Sequence, residues 1–560
     1  MCVGTIKNHI FDDKLIEEYL EDYEDNLIIT EEIENAIQKW LKKLNNKELI
    51  NEENNYPKFY EIILHQILGY TSDDYITEGT QSDRQRPDII FKKDNEDYVV
   101  CELKGSKTDI EKRYNGKRSA IDQVTIYANK NEEIKWSFVS NYNEFRLIYA
   151  SATEKYISFD FECLTDPHNL KIFLLIFSKF SLIDKKIPET LLKETKVIQE
   201  KFEDKFYELF SETRLMIIRE LEYFNANSEE FSLSLNDKIY YAQLILNRYL
   251  FICFAEDLKI LDPFLTTETL INPLSRRTIS KNKLWKELNE LFETIYEGNE
   301  YRNISEFGGV LFEEKLVNKL NIRDLVRDQE EFFEGCYKNH GFQYDNVEVK
   351  KYKDLNPIFK NLLIISSFDF ESELDVNILG HIFESSLKDI DELKKNLEKE
   401  NDIQTSNGIY YTSEYVTDYM CKNAIVSQLS KSGNAQSIDE LIDEYKESGE
   451  LDLLDEKLKN IKILDPACGS GAFLNKSVDV LFKIHEVLHR NKFENDMTLY
   501  RHFDNLENRK AIVKNNIYGV DLNRESVELT KLSLFLKLAT SFKLEKGFKL
   551  PNLDNNIKMW

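Results

Sequence analysis

Apolar residues recur at helical spacing near the start of the chain. Ile33, Ala36, Ile37, Trp40 and Leu41 mark one face, and residues 1–45 read as amphipathic helix. Asn45-Asn46 and Asn51-Glu52-Glu53-Asn54-Asn55 read as a polar linker. From Pro57 the pattern is mixed. A helix carrying Phe59, Ile62, Ile63, Ile67 and Leu68 stops at Gly69, and strands are predicted over Asp88–Phe91, Tyr98–Lys104, Trp136–Ser140 and Arg146–Tyr149, with a helix over Ala120–Asn129 between them. Residues 165–400 carry helical periodicity with few strand signals, including a long helix over Lys238–Leu261 and another ending near Leu387. Polar Lys394–Asn407 marks a boundary. Beyond it the α/β alternation returns: strand Ile461–Leu464, a helical insertion, strand Ile517–Val520, helix Arg524–Leu538, and the start of a third strand at Ile557-Lys558-Met559-Trp560.

At 560 residues the chain exceeds one hydrophobic core. The expected fold class is α/β and all-α multidomain, with a helical segment at 1–50, an α/β domain at 51–165, a helical connector at 166–400 and an incomplete Rossmann-like domain at 401–560. The apolar run Ile172–Phe177 is cut short by Ser178-Lys179 and is too short to cross a bilayer. The N-terminus lacks a signal-peptide pattern, and the seven cysteines are scattered without a CxxC pair, so a cytoplasmic protein with no membrane partner is expected. The net charge of −27 lowers the expectation of a nucleic-acid partner, because phosphate neutralisation then needs a local basic face.

Two constellations change that picture. Asp88-Ile89-Ile90-Phe91, the turn residues Asp94–Asp97 and Tyr98–Lys104 read as a β-hairpin. Alternation puts Val100, Glu102 and Lys104 on one face. Asp88 and Glu102 have the oxygen donors that suit Mg²⁺, and Lys104 can orient a water or offset developing charge, a set fit for phosphodiester hydrolysis. In a chain with 31% charged residues the bare Asp…Glu-x-Lys pattern arises by chance, and an alternating charged strand is ordinarily a solvated face. Order supplies the specificity. The helix before Gly69-Tyr70, then Arg86-Pro87-Asp88, Glu102-Leu103-Lys104, Gln123-Val124-Thr125-Ile126-Tyr127 and the strands at Trp136–Asn141 and Glu144–Leu147 resemble the PD-(D/E)xK nuclease domain over about 90 residues. The resemblance implies catalytic roles for Asp88, Glu102, Lys104 and Gln123, with Mg²⁺ on Asp88 and Glu102. Glu61 is an exposed helix carboxylate or a further metal contact.

The second is Ile463-Leu464-Asp465-Pro466-Ala467-Cys468-Gly469-Ser470-Gly471-Ala472-Phe473-Leu474, an apolar strand running through a glycine-bearing loop into a helix. It resembles motif I of S-adenosylmethionine-dependent adenine methyltransferases. That resemblance implies that Asp465, Pro466, Ala467, Gly469 and Gly471 hold S-adenosyl-L-methionine. Asp521, at the end of the next strand, is placed to accept from ribose hydroxyls, although residues 476–516 intervene as an insertion. Gly408-Ile409-Tyr410-Tyr411-Thr412-Ser413 resembles motif X, which adds Tyr411 and Thr412 at the cofactor's carboxylate; an ordinary helix cap is the alternative. The Asn-Pro-Pro-Tyr loop of amino-methylating enzymes does not occur in the sequence.

Segments at 238–262, Gly308–Phe312 and Leu379-Gly380-His381-Ile382-Phe383-Glu384 resemble the helical connector of type IIG enzymes, with His381 read as structural and no catalytic group assigned there. Together the resemblances imply a type IIG-like restriction–modification enzyme, C-terminally truncated, acting on double-stranded DNA with a separate C-terminal or specificity subunit as a further partner. Two other readings stay open: a defence nuclease for which S-adenosylmethionine is only a ligand, and a catalytically degenerate cofactor-binding subunit.

Overall fold

The computed structural model describes residues 5–77, 87–93, 96–111, 119–128, 131, 133–150, 152–228, 232–275, 282–299, 304, 310–313, 315–370, 376–399, 414–492, 506–540 and 551–560. The chain forms two compact units, Met1–Lys201 and Phe202–Trp560.

The first unit is built on a seven-stranded sheet. Its strands are β1 (Ile6–Asn8), β2 (Tyr75–Thr77), β3 (Ile89–Lys93), β4 (Glu96–Leu103), β5 (Trp136–Ser140), β6 (Glu144–Tyr149) and β7 (Ala152–Asp160), in the order β1-β7-β6-β5-β4-β3-β2. β4 and β5 are parallel and the other neighbours antiparallel. Four strands lie where the alternation predicts them. The reading of 1–45 as helix throughout is corrected by β1, a three-residue strand paired to β7.

The two faces of β4 have different cover. Val99, Cys101 and Leu103 join a large apolar core, whereas Val100 packs with Val139, Ile148 and Val124 beneath the helix Ala120–Ala128. The helix Glu31–Asn45 belongs to the large core. Thr30 caps its N-terminus by accepting from the Ile33 amide (3.3 Å), glutamates fill its first turn and lysines its last, in accord with the helix dipole. It buries Ala36, Ile37 and Trp40, and the Trp40 indole donates to the Tyr142 carbonyl (2.9 Å). The helix Phe59–Ile67 winds wider than an α-helix, with the Leu68 amide reaching back to the Ile63 carbonyl (2.9 Å), and ends at Gly69, whose φ of +75° favours glycine.

The second unit is mostly helical. Its central helix, Leu235–Asp257, opens with a capping box of Ser234 and Asp237 and is buried from Ile239 through Glu256, with polar Gln243, Asn247 and Arg248 among the buried residues. The helix Val376–Lys399 runs a dozen residues past the predicted end near Leu387 and into the polar stretch read as a boundary. A parallel three-stranded sheet follows, ordered β10-β9-β8, from β8 (Ile463–Asp465), β9 (Ile517–Asp521) and β10 (Ile557–Met559). The helices Ala472–Lys492 and Arg524–Thr540 pack against it. Among the described residues no helix is long and apolar enough to cross a membrane.

Candidate functional site

In the first unit, Asp88 sits just before β3 and Glu102 lies on β4. The register pairs Ile89 with Cys101, which brings Asp88 beside the end of β4. The Asp88 Oδ2 accepts from the Leu103 amide (2.7 Å) and its Oδ1 from the Tyr56 hydroxyl (2.9 Å). Lys104 continues the β4 pairing, its amide donating to the Ser140 carbonyl (2.8 Å), and its Nζ lies 2.6 Å from Glu102 Oε1 and 3.4 Å from Glu52 Oε1. Asp88, Glu102 and Lys104 are therefore gathered at one end of β3 and β4.

Glu102 is 3% exposed, and its Oε2 has no hydrogen-bond partner among the described residues. Burial, and then the Asp88 charge, push its carboxyl up to about 8, although Lys104 pulls the other way. Burial also raises Asp88 and Glu52. Burial opposes the charge of Lys104, but Glu102 and Glu52 outweigh it and hold the ammonium above the usual lysine value. An unpaired, buried carboxylate oxygen beside a second carboxylate is the donor chemistry of a hard divalent cation. Among the described residues there is no group of three or more His, Cys, Asp or Glu side chains arranged to hold a metal, and a cation at this place would have Asp88 and Glu102 as its protein ligands.

Gln123 lies on the helix covering this face of β4, and its side-chain amide donates to the Ser119 carbonyl one turn back (3.3 Å). Glu61 pairs with Lys39 (3.2 Å) at the surface. Glu52, read as part of a linker, and Tyr56, just past it, turn out to belong to the site, and the Tyr56 hydroxyl also lies 3.2 Å from Glu52 Oε1. They are held by the passage of 49–52 across the end of β4. The Ser106 amide donates to the Leu49 carbonyl (2.9 Å), and the Tyr142 hydroxyl to the Glu52 carbonyl (2.8 Å). Gly105 makes the passage open, because a Cβ there would stand 1.9 Å from the Ile50 carbonyl oxygen. The i, i+4 spacing of Glu52 and Tyr56 was the one local signal for them.

In the second unit, the loop after β8 turns through Gly469 (φ +55°) and Gly471 (φ +90°), which favour glycine. A Cβ on Gly471 would lie 3.0 Å from Thr530 Cγ2, and the Thr530 hydroxyl donates to the Gly469 carbonyl (2.8 Å). Asp465 Oδ1 accepts from the Ala467 amide (3.0 Å). Asp521 ties the loop to β9: its Oδ2 accepts from the Gly469 amide (2.9 Å) and its Oδ1 from the Asn523 amide (2.8 Å). Pro466 and Ala467 are exposed at the loop's crest. Asp465, Pro466, Ala467, Gly469, Gly471 and Asp521 thus converge where two parallel strands end, the place where open α/β sheets bind nucleotides. Tyr411 and Thr412 lie outside the described residues. A further residue, missed by the sequence reading, reaches this loop: Glu384 Oε1 accepts from the Ser470 hydroxyl (3.1 Å).

Comparison with known proteins fits this geometry. Residues 440–549 match the family described as MmeI, DNA-methyltransferase domain. A Methanocaldococcus jannaschii protein named as a type II restriction enzyme and methyltransferase is 27% identical over 356 residues, which span 58% of this chain and 27% of that protein. The adenine-specific methyltransferase PglX of Lacticaseibacillus casei (strain Zhang) is 23% identical over 217 residues, 34% of this chain and 17% of its own length. Among solved structures, the type IIL restriction–modification enzyme MmeI in complex with DNA is similar at a TM-score of 0.34 and 17% identity, over 59% of this chain and 36% of that one. The chain spans about a quarter or less of the curated relatives it matches. The family match, over residues 440–549, includes the glycine loop and Asp521.

Proposed function

We propose that this chain carries the nuclease and the cofactor-binding part of a restriction–modification enzyme acting on double-stranded DNA. A Mg²⁺-dependent endonuclease centred on Asp88, Glu102 and Lys104 is joined to the S-adenosylmethionine-binding portion of an adenine-specific methyltransferase. The observation that carries the reading is the presence, in one chain, of the Asp88–Glu102–Lys104 group, with Glu102 buried, and the glycine loop pinned by Asp521. Mg²⁺, when bound, supplies Lewis acidity at the phosphoryl oxygen and a more acidic water. The chain's own contribution is positional. Glu102 and Asp88 set the metal's place, and Lys104, held by Glu102 and Glu52, brings a fixed positive charge to the developing phosphorane. S-Adenosylmethionine fits the second site because the loop's backbone is bare at two glycines and both acids beside it are already turned toward loop amides.

A second reading is that the chain cuts DNA and uses S-adenosylmethionine only as a ligand, with the Asn-Pro-Pro-Tyr loop of amino-methylating enzymes playing no part. In the first reading, methyl transfer needs that loop from a further segment or a separate subunit. The test is incubation of the purified chain with unmodified DNA and Mg²⁺, with Glu102→Ala in parallel and labelled S-adenosylmethionine present. Cleavage abolished by the substitution supports the nuclease. Equal inertness of both proteins contradicts it and leaves a cofactor-binding subunit. Label in the DNA from this chain alone would contradict the assignment of the catalytic loop elsewhere.

A further inference from the structure

The helix Val376–Lys399 carries Glu384 to the glycine loop, where its Oε1 accepts from the Ser470 hydroxyl (3.1 Å). Its Oε2 is out of contact with water and has no hydrogen-bond partner among the described residues. The other carboxylates at the loop are engaged, Asp465 by the Ala467 amide and Asp521 by the Gly469 and Asn523 amides. Burial raises the Glu384 carboxyl above its ordinary value, and Ser470 and Lys388 offset only part of that. A buried carboxylate oxygen without a donor is costly, so such a group is normally completed by an ordered water, a cation or a ligand.

The aim of this side chain is fixed by the rest of its helix. Asp389 accepts from the Ser211 hydroxyl (3.0 Å) and the Arg214 guanidinium (3.2 Å), Ser386 bonds to Arg214 and Gln243, and the Ser385 carbonyl accepts from the Tyr207 hydroxyl (3.0 Å). These contacts, all within the five residues after the position, hold the helix against rotation and keep Glu384 on the loop.

Resting on the cofactor reading above, we propose that Glu384 belongs to the S-adenosylmethionine site, its free Oε2 receiving the ammonium group of the methionine moiety. The ligand carries a positive amine at the end that such glycine loops enclose, and a carboxylate beside the loop is the complementary charge. The connector helix is then a wall of the cofactor site as well as a spacer.

The experiment is calorimetric titration of the full chain and of Glu384→Gln with three probes: S-adenosylmethionine, S-adenosylhomocysteine and 5′-methylthioadenosine. Glutamine keeps the acceptor for Ser470 and removes only the charge. Affinity for the two amine-bearing probes is expected to fall about tenfold or more, as for loss of a charge-assisted hydrogen bond, while 5′-methylthioadenosine, which lacks the amine, binds both proteins alike. Ligand-free Glu384→Gln is expected to melt no lower than the parent, because the buried charge it removes is unpaired. Unchanged affinity for all three probes, or an equal loss for all three, overturns the assignment. So does a large drop in ligand-free melting temperature, which would show the carboxylate already partnered. Failure of the parent to bind S-adenosylmethionine overturns the cofactor reading itself and the assignment with it.

Discussion

Replacing Gly105 by alanine asks whether the nuclease site depends on the crossing of residues 49–52. The added Cβ would stand 1.9 Å from the Ile50 carbonyl oxygen and 2.9 Å from its carbon, so backbone must move. Overpacking of this kind costs about 1–3 kcal/mol, and at times more. The shift also strains the Ser106–Leu49 and Tyr142–Glu52 hydrogen bonds and the Lys104–Glu52 contact. Each is worth about 0.5–1.5 kcal/mol, and weakening them in part brings the expected loss to about 2–5 kcal/mol. For a unit of this size about 2–4 °C is lost per kcal/mol, so the first unit's melting temperature should fall by about 4–20 °C. Differential scanning calorimetry measures it, and a plasmid-cleavage assay below the transition measures the site. Cleavage should fall too, because Glu52 leaves Lys104 and Tyr56. A variant that melts within about 1 °C of the parent and cuts as well would refute the claim that this passage builds the site.

Glu102→Gln should abolish cleavage and change how stability depends on pH. The folded protein keeps the Glu102 proton up to about 8, whereas the unfolded chain releases it near 4.5, so the parent loses stability as pH rises through that window and the glutamine variant does not. Denaturant melts across pH should show the variant's relative stability rising and levelling off above about 8; a flat difference counts against it. For the same reason, Mg²⁺ affinity in the parent should rise with pH up to about 8, and an unchanged affinity would contradict it. Gly471→Ala should destabilise the second unit through its φ of +90° and the 3.0 Å approach to Thr530 Cγ2. Adding Thr530→Ser, which keeps the hydroxyl, should recover the steric part only; full recovery in thermal melts would show that φ does not matter. Asp521→Asn should weaken S-adenosylmethionine binding about tenfold to a hundredfold by loosening the bond to the Gly469 amide, and equal isotherms would exclude that role.

How far the sequence reveals these sites depends on whether the contacts are local. Strand alternation puts Glu102 and Lys104 on the face opposite Cys101 and Leu103, and the structure keeps that division, with Val100 under its own helix. The glycine loop is equally legible, because its turn chemistry is contained in a dozen consecutive residues. Glu52, Tyr56 and Glu384 were not. Each reaches its partner across a long stretch of chain, 52 residues from Glu52 to Lys104 and 86 from Glu384 to Ser470, and neither local pattern looks catalytic. The short strand β1 escaped because three residues paired at a sheet edge leave no periodicity to read. The helix over Val376–Lys399 outran its prediction because a charged helical surface has the same composition as a polar linker.

The central claim is that the Asp465–Gly471 loop, pinned by Asp521, closes around S-adenosylmethionine. Amide hydrogen exchange on the folded chain, with and without saturating cofactor, reads that loop directly. The account predicts slower exchange confined to residues 467–471 and 521–523 and their immediate neighbours. Exchange there that is unchanged by the cofactor, in a sample whose central helix Leu235–Asp257 remains protected, would contradict it.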